Sequence, residues 1–582
     1  MTFAIDDTYG TQLYLSRQGG MLFQNPETVI EAAEPSEVGV ALTRVESAIA
    51  EGRYAAGWVA YEAGPAFDSA LAMRRPDVVP VLWFGIYHEP THIHEPMAPP
   101  EDKTFDIGEW KPLVSKDHYL DSIRRIRAYL AAGDVYQVNY TFPLEATFAG
   151  DTLTWFQQLC AAQDADYCAY VNAGRFRVLS ASPELFFHID DDRITTRPMK
   201  GTRPRGRWLA EDEALAEALQ ASEKDRAENV MIVDLLRNDL GRIAYPGTVE
   251  TTELFAAERY PTVWQLTSTV TARTRASMAD VFRGLFPCGS VTGAPKVRMT
   301  QIARKLEPYP RGVYCGSVGW WGPGRKACFN VAIRTVTVDI EEGWARCGVG
   351  GGITWDSSPE GEYDECRVKA RFLTRETPRF DLLESLRWDQ EGYFLQTEHL
   401  DRLMASAAYF GWSVEREQVV AELEELSRQF TRLTPPQKVR VLVNRQGMIR
   451  LTHEPIPPAR TIRLGFAQEP VDSADPFLYH KTTHRTVYTN AQASRPDCDD
   501  VLLWNQQDEI TESATANVVV EFDGQYVTPP LSSGLLAGTF RRRLLEKGVI
   551  TEAALPRESI SEAKRIWLIN SVRRWIAVEW HN

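Results

Sequence analysis

No apolar run in this chain approaches the ~20 residues needed to cross a bilayer, so a helical membrane protein is excluded by pattern. The opening residues, MTFAIDDTYGTQLYLS, have neither a basic start nor an apolar stretch, and no secretory leader is read there. Cysteine is scarce and scattered, with eight at 160, 168, 288, 315, 328, 347, 366 and 498 and no CxxC pair. Neither a disulfide framework nor a zinc site is expected, and a reducing cytoplasm is the natural setting. Positive charge is in deficit, 64 Lys and Arg against 79 Asp and Glu, for a formal charge of −15. That balance opposes a nucleic-acid or anionic-membrane footprint, so neither is expected as a partner. An anionic substrate would need a local cluster of donors. Internal repeats are absent.

What remains is ordinary globular composition, 44% hydrophobic and 25% charged, in 582 residues, too many for one core. Punctuation divides the chain into three blocks, 1–112, 113–375 and 376–582, and the fold class is α+β. Residues 1–86 alternate apolar strands (GWVAYEA, VVPVLWFGIY) with one helix, VGVALTRVESAIAEG, before a polar, proline-bearing connector over 88–103. His88, His92 and His94 stand there without a carboxylate or cysteine at ligand spacing, and an exposed loop is expected. Further on, HYLDSIRRIRAYLAAG reads as a helix, YQVNYTFPLEATF and FRVLSASPELFFHID as strands, and 211–240 as one long helical stretch. After the break RETPRFD, a new unit begins, and HEPIPPAR (453–460) reads as a hinge between its two lobes.

Two carboxylate pairs stand out. In SEKDRAENVMIVDLLRND, Asp225 and Glu228 are three apart and share a helix face; in EGEYDECRVKA, Glu362 and Glu365 repeat that spacing, with Lys369 one turn on. Such pairs are most often solvated faces, but two of them could hold a hard divalent cation that keeps several waters or substrate oxygens. The run CGVGGGITWDSSPEGE opens the second acidic helix, and Gly350, Gly351 and Gly352 let bare backbone N–H groups approach an anion.

RPMKGT, AENVMIVDLLRNDLGR, GSVTGAPK, RGVYCGSVGW, AIRT and GGGI…SPEGEYDE…KA stand in one order over roughly 113–372. Together they resemble the chorismate-utilising enzymes. The resemblance implies Mg²⁺ bridging a substrate carboxylate to Glu228 and Glu365, with Asp225 and Glu362 nearby through water. It implies that Tyr314, Arg334 and the Gly350–Gly352 backbone bind the enolpyruvyl carboxylate, with Gly201, Thr202, Gln265 and Lys369 also lining the substrate. Members that add water to the ring carry a lysine base where this chain has Gln137, and an uncharged amide cannot accept that proton. At position 200 the anthranilate-forming members have alanine, whereas lysine resembles the members that aminate C4. A partly desolvated lysine can act as a nucleophile, so Lys200 is expected to attack ring C2 and expel the C4 hydroxyl before ammonia enters. Gln265 and Asn229 replace histidines common in relatives, and Cys288 replaces a smaller residue. No cysteine sits in a GxCxG-like elbow, so ammonia is expected from a glutamine amidotransferase partner or free ammonium.

The last block carries FDLLESLRW, HLDRL, FLYHKTTHRTVY, EITESATANVVV, LLAGTFRR and LINS. In this order they resemble fold-type IV pyridoxal-phosphate enzymes, a two-lobed fold. The resemblance implies that Lys481 links covalently to pyridoxal 5′-phosphate and that Glu512 pairs with its ring nitrogen. It implies Arg402 and the turn Gly538, Thr539 and Phe540 on the phosphate, with Ser571 beside them, and a homodimer through this block. The strand and glycine-rich loop that usually precede FxxLR are missing, and the front of the chain is expected to supply that packing. Motif leaves lyase and aminotransferase both open; fusion to a C4-aminating unit favours a lyase that eliminates pyruvate to give 4-aminobenzoate. The alternatives are an anthranilate-forming unit fused to an aminotransferase, and a regulatory relic of these folds.

Overall fold

The computed structural model describes residue 5 and residues 7–17, 19–94, 103–375 and 377–581. Residues 95–102 of the expected connector, and Glu376 in the expected break, lie outside them. The chain divides into two compact units: Met1–Pro204 with Ala216–Thr377, and Arg205–Leu215 with Pro378–Asn582. No helix among the described residues is long and apolar enough to cross a membrane.

In the first unit the described residues form one sheet of eleven strands and one of ten. Early and late segments share both: Gln12–Ser16 pairs with Tyr167–Ala173, and Tyr54–Val59 with Ser317–Gly322. The longest strand, Gln137–Gly150, shows why. Val138, Tyr140, Phe142, Leu144, Ala146 and Phe148 alternate along it and are buried, the period of two that fixes a strand's inner face. It runs antiparallel to Trp344–Ile353, so that Gly350, Gly351 and Gly352 lie opposite Thr141, Tyr140 and Asn139. A Cβ on Gly350 would sit 2.4 Å from the Tyr140 carbonyl oxygen, so the close approach requires glycine.

The expected single helix over 211–240 is two helices, Leu209–Ala221 and Glu223–Gly241. Ser222 separates them: its backbone is extended, and its hydroxyl accepts from the Asp225 amide as the cap of the second. The strand carrying Lys200, Met199–Pro204, pairs with Val263–Arg273, and its register shifts between Met199 and Thr202. Gly201 takes φ +103° at that irregularity. The second acidic helix, Pro359–Ala370, starts on a Ser358 cap with proline in its first turn.

Among the described residues the second unit has four hydrophobic clusters, of which two are the largest. Leu382–Asp389, Gln437–Val443 and Ile449–Pro455 make a sheet against helices Gln396–Phe410 and Arg416–Arg428, around Leu386, Leu403, Val419 and Val441. The other core, around Leu464, Leu502, Val518 and Leu568, lies in an eight-stranded sheet. Of the expected hinge, residues 453–455 belong to the strand Ile449–Pro455, and the connection is 456–461.

Candidate active sites

Lys200 Nζ stands 3.6 Å from Glu228 Oε2, with 21% and 23% of the two side chains exposed. Asn229, the residue beside Glu228, is buried and fastens the lysine strand to this helix. Its Nδ2 donates to the Lys200 carbonyl at 3.3 Å, and its Oδ1 accepts from Ser268 Oγ at 2.6 Å. Thr202 Oγ1 donates to Gln265 Oε1 at 3.0 Å, which joins two of the expected substrate residues. Gly201 lies against Asp225, whose carboxylate also meets Arg203 at 3.5 Å.

Glu184 was not singled out in the sequence, yet it is 2% exposed, and its Oε1 is buried without a hydrogen-bond partner. Burial pushes its carboxyl up to about 7, against the pull of Ser290, the Met199 backbone and Lys200. A second orphan is Gln137: it is fully buried, its Nε2 donates to Asn139 Oδ1 at 3.2 Å, and its Oε1 has no partner. It faces Gly352, where a Cβ would come 2.7 Å from Gln137 Nε2.

On the second acidic helix, Lys369 Nζ meets Glu365 Oε1 at 2.7 Å and donates to the Gly350 carbonyl at 3.0 Å. Glu362 accepts from Ser357 Oγ at 2.6 Å; burial raises its carboxyl above the usual range, and neighbouring Glu365 adds to this. For Glu365 desolvation acts upward but is outweighed by Lys369, with Lys200 and Lys224 adding to the downward pull. Arg334 donates to the Lys369 carbonyl, and burial lowers its guanidinium from the usual value. The Tyr314 ring packs on Gly348, and burial holds its phenol well above the usual range. Lys200 is therefore felt by Glu184, Glu362 and Glu365 as well as paired with Glu228. Among the described residues no group of three or more His, Cys, Asp or Glu side chains is assembled for a metal.

In the second unit Lys481 follows the turn Pro476–Leu478, and its carbonyl accepts the Leu383 amide at 2.9 Å. The residue is only partly covered, but its amine is desolvated and, with Arg402 beside it, pushed down to about 8. Glu512 is buried and takes Tyr488 Oη at 2.8 Å, Asn517 Nδ2 at 3.0 Å and the Leu536 amide at 3.1 Å. Burial carries its carboxyl up to about 7. Gly538 caps the helix Thr539–Glu546, and a Cβ there would fall 1.9 Å from Asn517 Oδ1.

Arg402 makes a two-pronged bond to Glu384, Nε at 2.9 Å and Nη2 at 2.7 Å, and donates from Nη1 to the Ala537 carbonyl at 3.0 Å. His399 Nδ1 meets the same carboxylate at 2.6 Å, and its Nε2 meets Thr539 Oγ1 at 3.2 Å. Burial would raise Glu384; Arg402 and His399 override it and draw it down to about 2. This Glu384–His399 pair, unmarked in the sequence, ties Arg402 to the turn at Gly538. Two of the five N–H donors of Arg402 lie outside these bonds. Ser571 donates instead to the Ser385 carbonyl at 3.3 Å.

The family profile described as chorismate binding enzyme matches residues 6–375. The chain belongs to this family. Residues 381–579 of this chorismate-binding chain match the profile of amino-transferase class IV. It is 38% identical over 348 residues to aminodeoxychorismate synthase component 1 of Escherichia coli K12, covering 55% of this chain and 76% of that protein. To the protein of the same name from Klebsiella aerogenes it is 43% identical over 274 residues, 47% of this chain and 60% of that one. Aminodeoxychorismate synthase of Streptomyces griseus is 43% identical over 286 residues, 48% of this chain and 39% of that protein. The chain thus spans between about two fifths and three quarters of these relatives. Anthranilate synthase component I of Streptococcus pneumoniae shares the fold at a TM-score of 0.54 and 24% identity, over 64% of this chain and 94% of that one. The chorismate-binding unit sets Lys200 against Glu228, Glu362 and Glu365, and brings Lys369 and Arg334 to Glu365 with the Gly350 carbonyl on Lys369. Glu184 could have been found as a lone acid between two apolar runs, RVLSASP and LFF.

Proposed function

We propose that the first unit aminates chorismate at C4 with ammonia, and that the second removes pyruvate from the resulting 4-amino-4-deoxychorismate to leave 4-aminobenzoate. The observation that carries the first step is Lys200 Nζ paired with Glu228 at 3.6 Å while its charge is felt by the buried carboxyl of Glu184, whose Oε1 lacks a partner. With its proton passed to solvent, Lys200 Nζ attacks ring C2. Both ring double bonds shift, C1=C2 to C1=C6 and C5=C6 to C4=C5, and the C4 oxygen leaves as water with the proton of Glu184. Ammonia then bonds to C4 and gives its extra proton back to Glu184, both double bonds shift back, and the C2–Nζ bond breaks to free the lysine. Gln137 in place of a lysine base leaves water without a group to activate it, and its orphan amide oxygen is an acceptor for substrate.

Glu228 and Glu365 offer carboxylate oxygens, each paired with a lysine, and hard oxygen donors of this kind suit a cation that keeps waters and substrate oxygens. Glu228 and Glu365 would hold Mg²⁺, which neutralises the substrate carboxylate. Tyr314, Arg334 and the amides of Gly350–Gly352 take the other carboxylate. The amidotransferase partner is supported by the absence of a GxCxG cysteine and by the words "component 1" in two relatives' names.

In the second unit a desolvated lysine, a buried carboxylate and a glycine-started helix fit pyridoxal phosphate. Lys481 would hold it, with Glu512 on the ring nitrogen and Arg402, Gly538, Thr539 and Phe540 on the phosphate. Bound there, the cofactor supplies an electron sink. Freed when the substrate amine takes its place, Lys481 Nζ would take the proton from ring C4, and the enolpyruvyl oxygen leaves C3 as enolpyruvate, which gains a proton from solvent to become pyruvate; aromatisation favours the step. The test is the purified protein with chorismate, Mg²⁺ and an ammonium salt, and products identified by mass spectrometry. 4-Aminobenzoate and pyruvate are expected; anthranilate as the aminated product would overturn the reading.

A further inference from the structure

Residues 205–215 stand in sequence between Lys200 and Glu228, yet they belong to the second unit. Their fold there is specific. Arg205 grips Asp212 with Nε and Nη2, both at 2.7 Å, and the pair is buried, with 8% and 2% of the side chains exposed. Gly206 closes the loop, since a Cβ there would lie 2.3 Å from the Asp212 nitrogen.

This closed strap touches the residues directly ahead of Lys481. Tyr409 Oη donates to the Gly206 carbonyl at 2.7 Å, and the Arg205 guanidinium lies 4.4 Å from the centre of the same ring. The same ring meets Phe410 edge-on at 5.0 Å and stacks at 4.2 Å on His480, whose Nδ1 meets Ser406 Oγ at 3.0 Å. Arg207 Nη1 donates to Tyr479 Oη and to the Ser532 carbonyl, each at 3.2 Å. Trp208 stands 5.2 Å from the Tyr479 ring and packs on a core containing Tyr488, the residue that bonds Glu512.

We infer that residues 205–212 are a positioning element of the C-terminal site, a strap that holds Tyr479 and His480 and through them sets the place of Lys481. The inference rests on the reading that Lys481 takes pyridoxal phosphate. It assigns no contact with cofactor or substrate to the strap. What it does is remove freedom from the backbone that carries the lysine, so that the amine is presented in one place rather than several.

The test uses the full chain stripped of cofactor, as wild type, Trp208→Ala, Trp208→Phe and Arg207→Gln. Pyridoxal phosphate is titrated in while the visible absorbance of the lysine-bound cofactor is followed across pH. Wild type should capture it with a pH midpoint near 8. Trp208→Ala and Arg207→Gln should each weaken cofactor affinity about tenfold and move that midpoint, with faster hydrogen exchange over 479–483, and Trp208→Phe should recover most of both. A variant that melts earlier but keeps the wild-type affinity and midpoint would reduce the strap to a structural brace and overturn the inference. If Trp208→Ala does not fold, Arg207→Gln and Trp208→Phe decide by the same readouts. Failure of wild type itself to take up the cofactor would sink the reading of Lys481, a separate outcome.

Discussion

Replacing Glu184 by glutamine should make the chorismate-binding unit slower and more stable at once. The carboxyl is held at about 7 against a usual 4.5. At pH 7 it is therefore about half protonated, against about 0.3% at the usual value, a gain of roughly 150-fold in the form that can donate a proton. Glutamine keeps the shape and cannot donate that proton, so the turnover number for amination should fall ~10²–10⁴-fold with little change in KM. The wild-type rate should decline as pH rises through about 7, and the variant should lose that limb. The stability side has a definite sign. A folded-state midpoint above the unfolded one means that the folded chain binds more protons, so stability falls as pH rises between about 4.5 and 7. Above that window the ionised carboxylate is a deficit on the order of 3 kcal/mol, which the neutral amide does not carry. At pH 8 the variant should melt several degrees above wild type, while near pH 4 the two should converge. Steady-state kinetics on chorismate and ammonium, with calorimetry at the two pH values, measure both. A variant with wild-type turnover, or one no more stable at pH 8, would refute the reasoning.

Lys200→Ala should abolish amination at C4, because no other amine lies in the motif; mass spectrometry of the products checks this, and undiminished 4-amino-4-deoxychorismate would remove the covalent role. Glu365→Gln should raise the Mg²⁺ concentration needed for half-maximal rate about tenfold or more, since a site with few protein oxygens loses a negative one; wild-type activity at low Mg²⁺ would count against the two-helix site. Lys481→Ala should leave amination intact, abolish the visible absorbance of lysine-bound cofactor and let 4-amino-4-deoxychorismate accumulate until a separate lyase is added. Gly538→Ala places a methyl 1.9 Å from Asn517 Oδ1, an overpacking that should lower stability by about 1–3 kcal/mol, read by thermal melting, and weaken cofactor binding, read by titration of the stripped protein.

Residues whose chemistry demands a type at a fixed spacing were legible. Asp225 with Glu228, and Glu362 with Glu365, share helix faces because three residues make most of a turn, and both helices form over those residues. The glycine run was legible because strand Gln137–Gly150 leaves no room opposite it. The break at Ser222 was not. Both flanking stretches suit a helix, and only the hydroxyl bond to the Asp225 amide shows where one ends and the next begins.

Glu184 and Glu384 escaped for a common reason. A single acid in an apolar stretch has no period, and what singles it out is the partner its oxygen lacks or finds far along the chain. Glu184 matters because its Oε1 has no partner, and Glu384 because helix Gln396–Phe410 brings His399 and Arg402 to it. His399 and Arg402 are three apart, so their common face could be read from HLDR, but the acid that fixes both stands fifteen residues before His399. The pairing also refines what Arg402 can do. Its two bonds to Glu384 orient the guanidinium plane and balance a buried negative charge, and the remaining two donors stay available to a phosphate. Removing Glu384 would leave Arg402 unaimed, so at the proposed cofactor site the carboxylate would act through the arginine rather than beside it.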